Sequence, residues 1–172
     1  VSVSLIQMAR AYSVFARDGD LVPLTLLKSD TPNVPVRVIS PTTARALRKM
    51  LEMAVAADGT APAARIPGYR VAGKTGTAQK LRNGQYVKEY VASFVGFAPV
   101  SNPRIVVAVM IDEPSGGAYY GGQVAAPAFA QMTNPSRDLP RKHDPRPTAA
   151  EITIEDVTTR TYIIADDSME GR

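Results

Sequence analysis

The sequence contains no cysteine, which excludes disulfide bonds, thiolate metal sites and thiol nucleophiles. Its single histidine, His143, stands among Arg141, Lys142, Asp144 and Pro145. That setting fits a solvated loop residue better than a metal ligand or a catalytic base. No run approaches the roughly 20 apolar residues that a membrane-spanning helix requires. We therefore expect no metal, no other cofactor and no membrane span among these residues.

The net charge is only +4 at pH 7, and it is unevenly distributed along the 172 residues. Residues 1–132 carry +6 and residues 133–172 carry −2. A mildly basic body suits an anionic partner such as a carboxylate-bearing polymer, although ordinary solubility charge explains it equally well. The basic residues are scattered and not interleaved with aromatic ones, so no nucleic-acid partner is expected. The length and the 45% hydrophobic content indicate one globular domain with a core.

Helical periodicity appears first in SLIQMARAYSVFARDG, where Ser4 and Gln7 form a capping-box pattern and Gly19 predicts the end. Its predicted inner stripe is Leu5, Met8, Ala9, Tyr12, Phe15 and Ala16. In ISPTTARALRKMLEMAVAADG, Ser40 is the predicted N-cap and Pro41 the first helical residue. Its inner face is Ala44, Leu47, Leu51 and Val55, and it is predicted to end at Asp58 and Gly59. A short third helix is predicted over QVAAPAFAQM, with Val124, Ala128 and Phe129 inward.

Between the second and third helices the apolar period changes to that of strands. The runs YRVAGKTGTAQK, YVKEYVASFVGFA and RIVVAVMID are separated by Asn83-Gly84 and by a Ser-Asn-Pro turn at 101–103, which predicts an antiparallel three-strand meander. LVPLTLLK predicts a short earlier strand, and EITIEDVTTRTYII alternates enough for a late one. We expect an α+β fold, with the first and third helices on one face of the sheet and the second packed elsewhere.

One lysine belongs to two motifs. From Gly68 the chain spells G-x-x-x-x-G-K-T, the phosphate loop of nucleotide hydrolases, and from Lys74 it spells K-T-G-T. A phosphate loop must open directly into a helix, yet Lys74-Thr75 is followed by polar residues and the Asn83-Gly84 turn. Asp112 at the end of an apolar run imitates a magnesium-binding strand, but a central strand explains it equally well. A nucleotide hydrolase is therefore a remote alternative.

A strand placement suits K-T-G-T better. On a free sheet edge, Lys74 can project a cation into a cleft, and Thr75 and Thr77 can offer hydroxyl groups to a substrate carboxylate. Gly76 allows a substrate backbone to approach closely. An edge strand can also accept a peptide as an added strand and can aim an amide at a developing oxyanion.

Other segments of the sequence support this interpretation of K-T-G-T. VASFVGFAPVSNPRIVVAVMIDEPSGGAYYGGQVAAPAF, together with VAGKTGTAQK and SVSLIQMARAYSVFARDG, resembles the C-terminal half of the transpeptidase domain of class B penicillin-binding proteins, from Val1 to about Phe129. The segments IDEP and YYGGQVAAPAF resemble the septal, division-specific branch more than the elongation branch. The resemblance implies a fold like that of penicillin-binding proteins and serine β-lactamases. It divides the chain into 1–132, part of that domain, and 133–172, a linker-like extension with a possible strand.

The implied activity is a peptidoglycan D,D-transpeptidase that acylates a serine with the penultimate D-alanine of a stem peptide and is trapped by β-lactams. The resemblance assigns Lys74 to proton transfer and positive charge, and Thr75 and Thr77 to carboxylate binding, with the Thr77 amide as half of the oxyanion hole. Gly76 belongs to the substrate-binding strand, and Tyr119 and Tyr120 match aromatic residues that wall the cleft. The implied partners are the rest of the parent chain and the cell-division machinery. The implied place is the periplasmic face of the bacterial inner membrane.

Two motifs of that family, S-x-x-K and S-x-N, do not occur in the 172 residues. Thr77 and Lys80 are spaced like the first, but positions three apart on a strand face opposite sides. We therefore expect a truncated, cleaved or partial portion of a longer anchored enzyme, inactive by itself. A non-catalytic binding or interaction module with the same fold is the alternative.

Overall fold

The computed structural model describes residues 3–25 and 33–134. The elements in chain order are α1 (Leu5–Ala16), β1 (Asp20–Leu21), β2 (Val36–Arg37), α2 (Pro41–Met53), a short 3-10 helix (Pro62–Ala64), β3 (Ala72–Arg82), β4 (Gln85–Ala98), β5 (Ile105–Asp112) and α3 (Gly121–Thr133). Within these ranges, no helix is long and apolar enough to cross a membrane. The predicted late strand in EITIEDVTTRTYII, and His143, lie outside the described residues.

The three-strand meander is confirmed. The strands pair antiparallel in the order β3-β4-β5, so β4 is central and β3 lies at one edge. Asn83 and Gly84 join β3 to β4 with φ angles of 51° and 77°. Positive φ at both central residues is what a two-residue type I′ hairpin demands, which is why Asn-Gly predicted the turn. The strand prediction for K-T-G-T is therefore correct, and it places the motif on an edge.

The predicted starts of α1 and α2 are confirmed by their caps, whereas α3 begins at Gly121, two residues before the predicted Gln123. The Ser4 hydroxyl accepts from the Gln7 amide at 3.3 Å, and the Gln7 side chain accepts in return from the Ser4 amide at 2.8 Å. The Ser40 hydroxyl accepts from the Thr43 amide at 3.0 Å, and Pro41 begins α2. Each cap satisfies a backbone donor that the first helical turn leaves free.

The expectation that α1 and α3 cover the same face of the sheet is wrong. On β4, Phe94 is fully buried against Phe129 of α3, with ring centroids 4.9 Å apart. Phe97, three residues later, is fully buried in a second cluster with Phe15 and Ala16 of α1. Because positions three apart on a strand point to opposite sides, α1 and α3 lie on opposite faces. Leu51 of α2 joins the α1 cluster, so α2 flanks α1.

Several inner-face predictions also need correction. In α1, Val14 and Ala16 are buried, whereas Leu5 is 41% exposed. In α3 the buried residues are Gly121, Ala125, Ala126 and Phe129. Helix α2 ends at Met53, before the predicted Asp58. Of LVPLTLLK, only Leu21 lies in a strand, residues 22–25 are irregular, and residues 26–28 are outside the described ranges.

Candidate functional site

The edge strand β3 distributes the four residues of K-T-G-T over both faces of the sheet. Thr75 pairs with Phe94 on β4, so Thr75 and Thr77 lie on the face that α3 covers. Lys74 pairs with Val95 and lies with Gly76 on the α1 face. Among residues 3–25 and 33–134, no strand pairs with the outer edge of β3. The backbone of this edge is therefore open to an added strand.

A groove of about 340 Å³ lies between this strand and the start of α3. Its walls are Thr60, Thr75 and Thr77 on one side, and Tyr120 with Gly121, Gly122 and Gln123 of α3 on the other. Three hydroxyl groups and the amino-terminal turn of a helix thus surround one space. Hydroxyl donors and helix amide groups together favour an anionic ligand.

The start of α3 is held tightly against β3. The Gly121 amide donates to the Thr77 hydroxyl oxygen at 3.0 Å, which leaves the hydroxyl proton of Thr77 available for another acceptor. A Cβ atom on Gly121 would lie 2.2 Å from the carbonyl oxygen of Ser93 and 2.5 Å from that of Gly76. A Cβ atom on Gly122 would lie 2.0 Å from the carbonyl oxygen of Thr60. Only glycine allows this close approach.

The Lys74 side chain starts on the α1 face, but its ammonium reaches Thr75, whose hydroxyl lies on the groove side of the strand. Its Nζ donates to the Thr75 carbonyl oxygen at 3.0 Å and to the Thr75 hydroxyl at 3.3 Å. The Thr75 hydroxyl in turn donates to that of Thr60 at 3.3 Å. Within the described part of the chain, no acidic side chain pairs with Lys74. Its charge is therefore left uncompensated beside the groove.

Three tyrosines stand in a row, and the last of them, Tyr120, lines the groove. The rings of Tyr90 and Tyr119 are stacked with centroids 4.2 Å apart, and the Tyr119 hydroxyl donates to that of Tyr120 at 3.2 Å. This hydrogen bond is the main cause that raises the pKa of Tyr119 above its ordinary value of 10.0. Tyr120 is 54% exposed and precedes the first residue of α3. It can therefore present an aromatic wall to a ligand.

Tyr90 is a residue that the sequence interpretation missed. Its position is set by the sheet, since it pairs with Gln79, two residues after the K-T-G-T motif. The sequence signal for Tyr90 was its place in YVKEYVASF, the strand predicted to pair with K-T-G-T. Its stacking on Tyr119 depends on the loop after β5, and no local pattern in the sequence predicts that contact.

Ion pairs join the far end of β3 to the end of β5. Lys80 Nζ lies 2.7 Å from Asp112 Oδ1 and 2.6 Å from Glu113 Oε1. Hydrogen bonds to both acids raise the pKa of Lys80 above its ordinary value. Arg82 bonds Glu89 at 2.6 Å and reaches Glu113 at 3.3 Å. The loop that carries Tyr119 and Tyr120 therefore begins at a residue anchored to β3.

The nucleotide-hydrolase alternative is contradicted by this geometry. A strand continues from Ala72 through Lys74 and on to Arg82, where a phosphate loop would need to open into a helix. The carboxylate of Asp112, the residue that imitates a magnesium ligand, is paired with Lys80.

The predicted site residues are thus partly collected in one place. Thr75, Thr77 and Tyr120 line the groove, and Lys74 contacts Thr75. Gly76 lies next to them along the strand, and a Cβ atom there would meet the Ser93 hydroxyl at 2.5 Å. The packing of β3 against β4 therefore favours glycine at position 76 even without a substrate. Tyr119 stands behind Tyr120, outside the lining.

Comparison with known proteins adds a family. Residues 1–134 match the model of the penicillin-binding protein transpeptidase domain. The chain is 44% identical over 140 residues to "Probable peptidoglycan D,D-transpeptidase PenA" of Neisseria flavescens, and the aligned region covers 81% of this chain and 35% of that protein. It is 40% identical over 131 residues to "Peptidoglycan D,D-transpeptidase FtsI" of Escherichia coli strain K12, covering 76% and 22% respectively. The chain thus spans about a third of the first relative and less of the second.

A solved structure shares the fold. The apo transpeptidase domain of penicillin-binding protein 3 from Burkholderia pseudomallei is similar with a TM-score of 0.69 and 55% identity. The matched region is 74% of this chain and 40% of that one.

Proposed function

Since the chain belongs to the penicillin-binding protein transpeptidase family, with class B proteins among its relatives, we propose that it forms one wall of a D,D-transpeptidase active site. The reaction is acyl transfer from the penultimate D-alanine of a peptidoglycan stem peptide, first to a serine and then to a neighbouring amine. β-Lactams react at the first step. The likeness to FtsI supports the septal branch of the family.

The groove between β3 and α3 carries this proposal. A stem peptide that ends in D-alanine has a terminal carboxylate and an extended backbone. The Thr77 hydroxyl, oriented by the Gly121 amide, and the uncompensated charge of Lys74 suit the carboxylate. The open edge of β3 suits the backbone, which can pair with it as an additional strand.

Each site residue then has a role. Lys74 supplies positive charge and joins the proton-transfer network, and the Thr77 amide stabilises the oxyanion that forms when the serine attacks. Thr75 and Thr77 bind the carboxylate, and Gly76 allows the substrate backbone to approach the strand closely. Tyr119 supports Tyr120, whose ring closes the side of the groove.

The nucleophile is not among these residues, because neither S-x-x-K nor S-x-N occurs in the 172 residues. We propose that residues 1–132 act together with a segment that carries those motifs, and that residues 133–172 are an extension outside the catalytic domain. The periplasmic face of the inner membrane, where stem peptides are cross-linked, is the proposed place of action. Cell-division proteins are the proposed partners of the whole enzyme.

A chimera tests the catalytic role of this wall. Residues 1–134 would replace the matching region of the Burkholderia pseudomallei transpeptidase domain, with which they share 55% identity over the aligned part. The chimera should be acylated by a fluorescent penicillin. Lys74→Ala should slow acylation about 100-fold or more, since it removes charge beside the developing oxyanion. Lys88→Ala, at an exposed lysine of β4, is the matched control and should react like the unmodified chimera.

The same penicillin should not label the 172-residue chain covalently. An unmodified chimera that folds but reacts no faster than its Lys74→Ala variant would refute the catalytic assignment. It would favour a binding module that kept the fold without the chemistry.

A further inference from the structure

We propose that Thr60 is a third hydroxyl donor of the carboxylate-binding groove, polarised by Lys74 through Thr75. This inference rests on the proposed function and adds to it a residue from outside the K-T-G-T strand. Thr60 lies in the segment between α2 and the short 3-10 helix, 14 positions before Lys74 in the sequence.

The direction of the hydrogen bonds singles out Thr60. A hydroxyl group has one proton to donate. That of Thr75 is directed to the Thr60 oxygen at 3.3 Å, while the Thr75 oxygen accepts from the Lys74 ammonium at 3.3 Å. The Thr60 proton is then the free end of this series of hydrogen bonds, and within the described residues no protein acceptor takes it. In this arrangement the free hydroxyl protons are those of Thr60 and Thr77, and Thr75 can donate to a ligand only once its link to Thr60 yields.

A positive charge at the start of such a series strengthens its free end. The Lys74 ammonium polarises the Thr75 hydroxyl, which makes the Thr60 hydroxyl a better donor to an anion. Both links are long for hydrogen bonds between oxygen atoms or from an ammonium, so they can shorten or yield when a carboxylate arrives. The charge of Lys74 therefore acts at a point of the groove that its own side chain does not line.

The backbone holds Thr60 in place. The next residue, Ala61, is fully buried and donates its amide to the Ala54 carbonyl oxygen at 2.8 Å. On the other side, Gly122 of α3 packs so closely that a Cβ atom there would lie 2.0 Å from the Thr60 carbonyl oxygen. A group fixed in this way loses little entropy when it binds a ligand.

The test uses the ¹⁵N-labelled 172-residue chain and two probes, N-acetyl-D-alanyl-D-alanine and the same dipeptide with a carboxy-terminal amide. Affinities are read from the shifts of the Gly121 and Gly122 amide signals. Wild-type protein should bind the free acid more tightly than the amide. Thr60→Val, which keeps the shape and removes the hydroxyl, should weaken binding of the acid about tenfold, the loss expected for one hydrogen bond near a charge, with binding of the amide unchanged.

Thr60→Ser keeps the donor and should bind the acid within about twofold of wild type. Thr60→Ala is measured beside Thr60→Val, so that the conclusion does not depend on the folding of one variant. Thr42→Val, at an exposed threonine of α2, is the remote control and should change neither affinity.

The outcomes separate the two proposals. If Thr60→Val and Thr60→Ala bind the acid like wild type, or lose affinity for acid and amide equally, the role of Thr60 is refuted and the groove itself stands. If wild-type protein does not prefer the acid, the carboxylate site is refuted and the role of Thr60 with it. A tenfold loss confined to the acid, and restored by serine, supports the inference.

Discussion

Replacing Gly122 by alanine sets two physical effects against each other. Alanine is favoured over glycine inside a helix by about 1 kcal/mol, so helix propensity alone predicts that Gly122→Ala stabilises α3. The structure predicts the opposite, because the new Cβ atom would lie 2.0 Å from the Thr60 carbonyl oxygen. The obstacle is backbone and cannot rotate away. Forcing a methyl group into a tight contact typically costs about 1 to 3 kcal/mol, and a 2.0 Å contact with backbone lies at the upper end of that range. After the gain in helix propensity, a net loss of about 1 to 2 kcal/mol should remain.

Thermal unfolding measures the result. In a folded unit of about 125 described residues, 1 kcal/mol corresponds to about 4 °C in the midpoint, so Gly122→Ala should lower it by several degrees. Gly116→Ala is the matched control, since nothing lies within 4 Å of a Cβ atom at that position. It should shift the midpoint by no more than about 2 °C. A Gly122→Ala protein as stable as wild type, or more stable, would show that the close approach of α3 to Thr60 is not real.

Two further predictions concern ion pairs that fasten the helices. Arg48→Ala removes a guanidinium that donates twice to the Phe15 carbonyl oxygen near the end of α1, at 2.8 and 3.1 Å, and whose side chain is 14% exposed. This variant should lower the free energy of unfolding in urea by about 1.5 to 3 kcal/mol. Arg45→Ala, at a side chain 62% exposed, should change it by no more than about 0.5 kcal/mol, and equal losses for both variants would contradict the capping role. The second prediction concerns Glu52. The hydrogen bond from Arg70 holds the pKa of Glu52 below its ordinary value of 4.5. The pair therefore stabilises the fold fully above pH 4.5, and this stabilisation is lost as the pH falls through the lowered pKa. The stability gap between wild type and Arg70→Gln, followed by urea unfolding from pH 7 to pH 3, should therefore close on acidification, and a gap that stays constant would show that the pair contributes no proton-linked stability.

Local chemistry made part of this fold predictable. Asn83-Gly84 adopts positive φ at both positions, and Ser4, Ser40 and Pro41 begin their helices, because each of these effects acts over a few neighbouring residues. The strand position of Lys74 followed from the same local pattern, since strand, turn and strand surround it, whereas its place at a sheet edge comes from the strand order.

Which helix covers which face of the sheet was not predictable in the same way. Phe94 and Phe97 are equally apolar in the sequence, and only the packing of separate helices on opposite faces assigns a partner to each. The groove has the same origin. Thr60 meets Thr75, and Gly121 meets Thr77 across 44 positions, through contacts that no periodicity encodes.

The ion pairs between Lys80 and the end of β5 make dissolved salt a variable of the groove. They anchor the start of the loop that carries Tyr120, so they help to set how far that ring stands from β3. At about 0.15 M salt the Debye length is about 8 Å, well beyond the contact distances of these pairs, whereas near 1 M it falls to about 3 Å. Concentrated salt should therefore loosen the aromatic wall first. Even a ligand without charge would then bind with an affinity that depends on ionic strength.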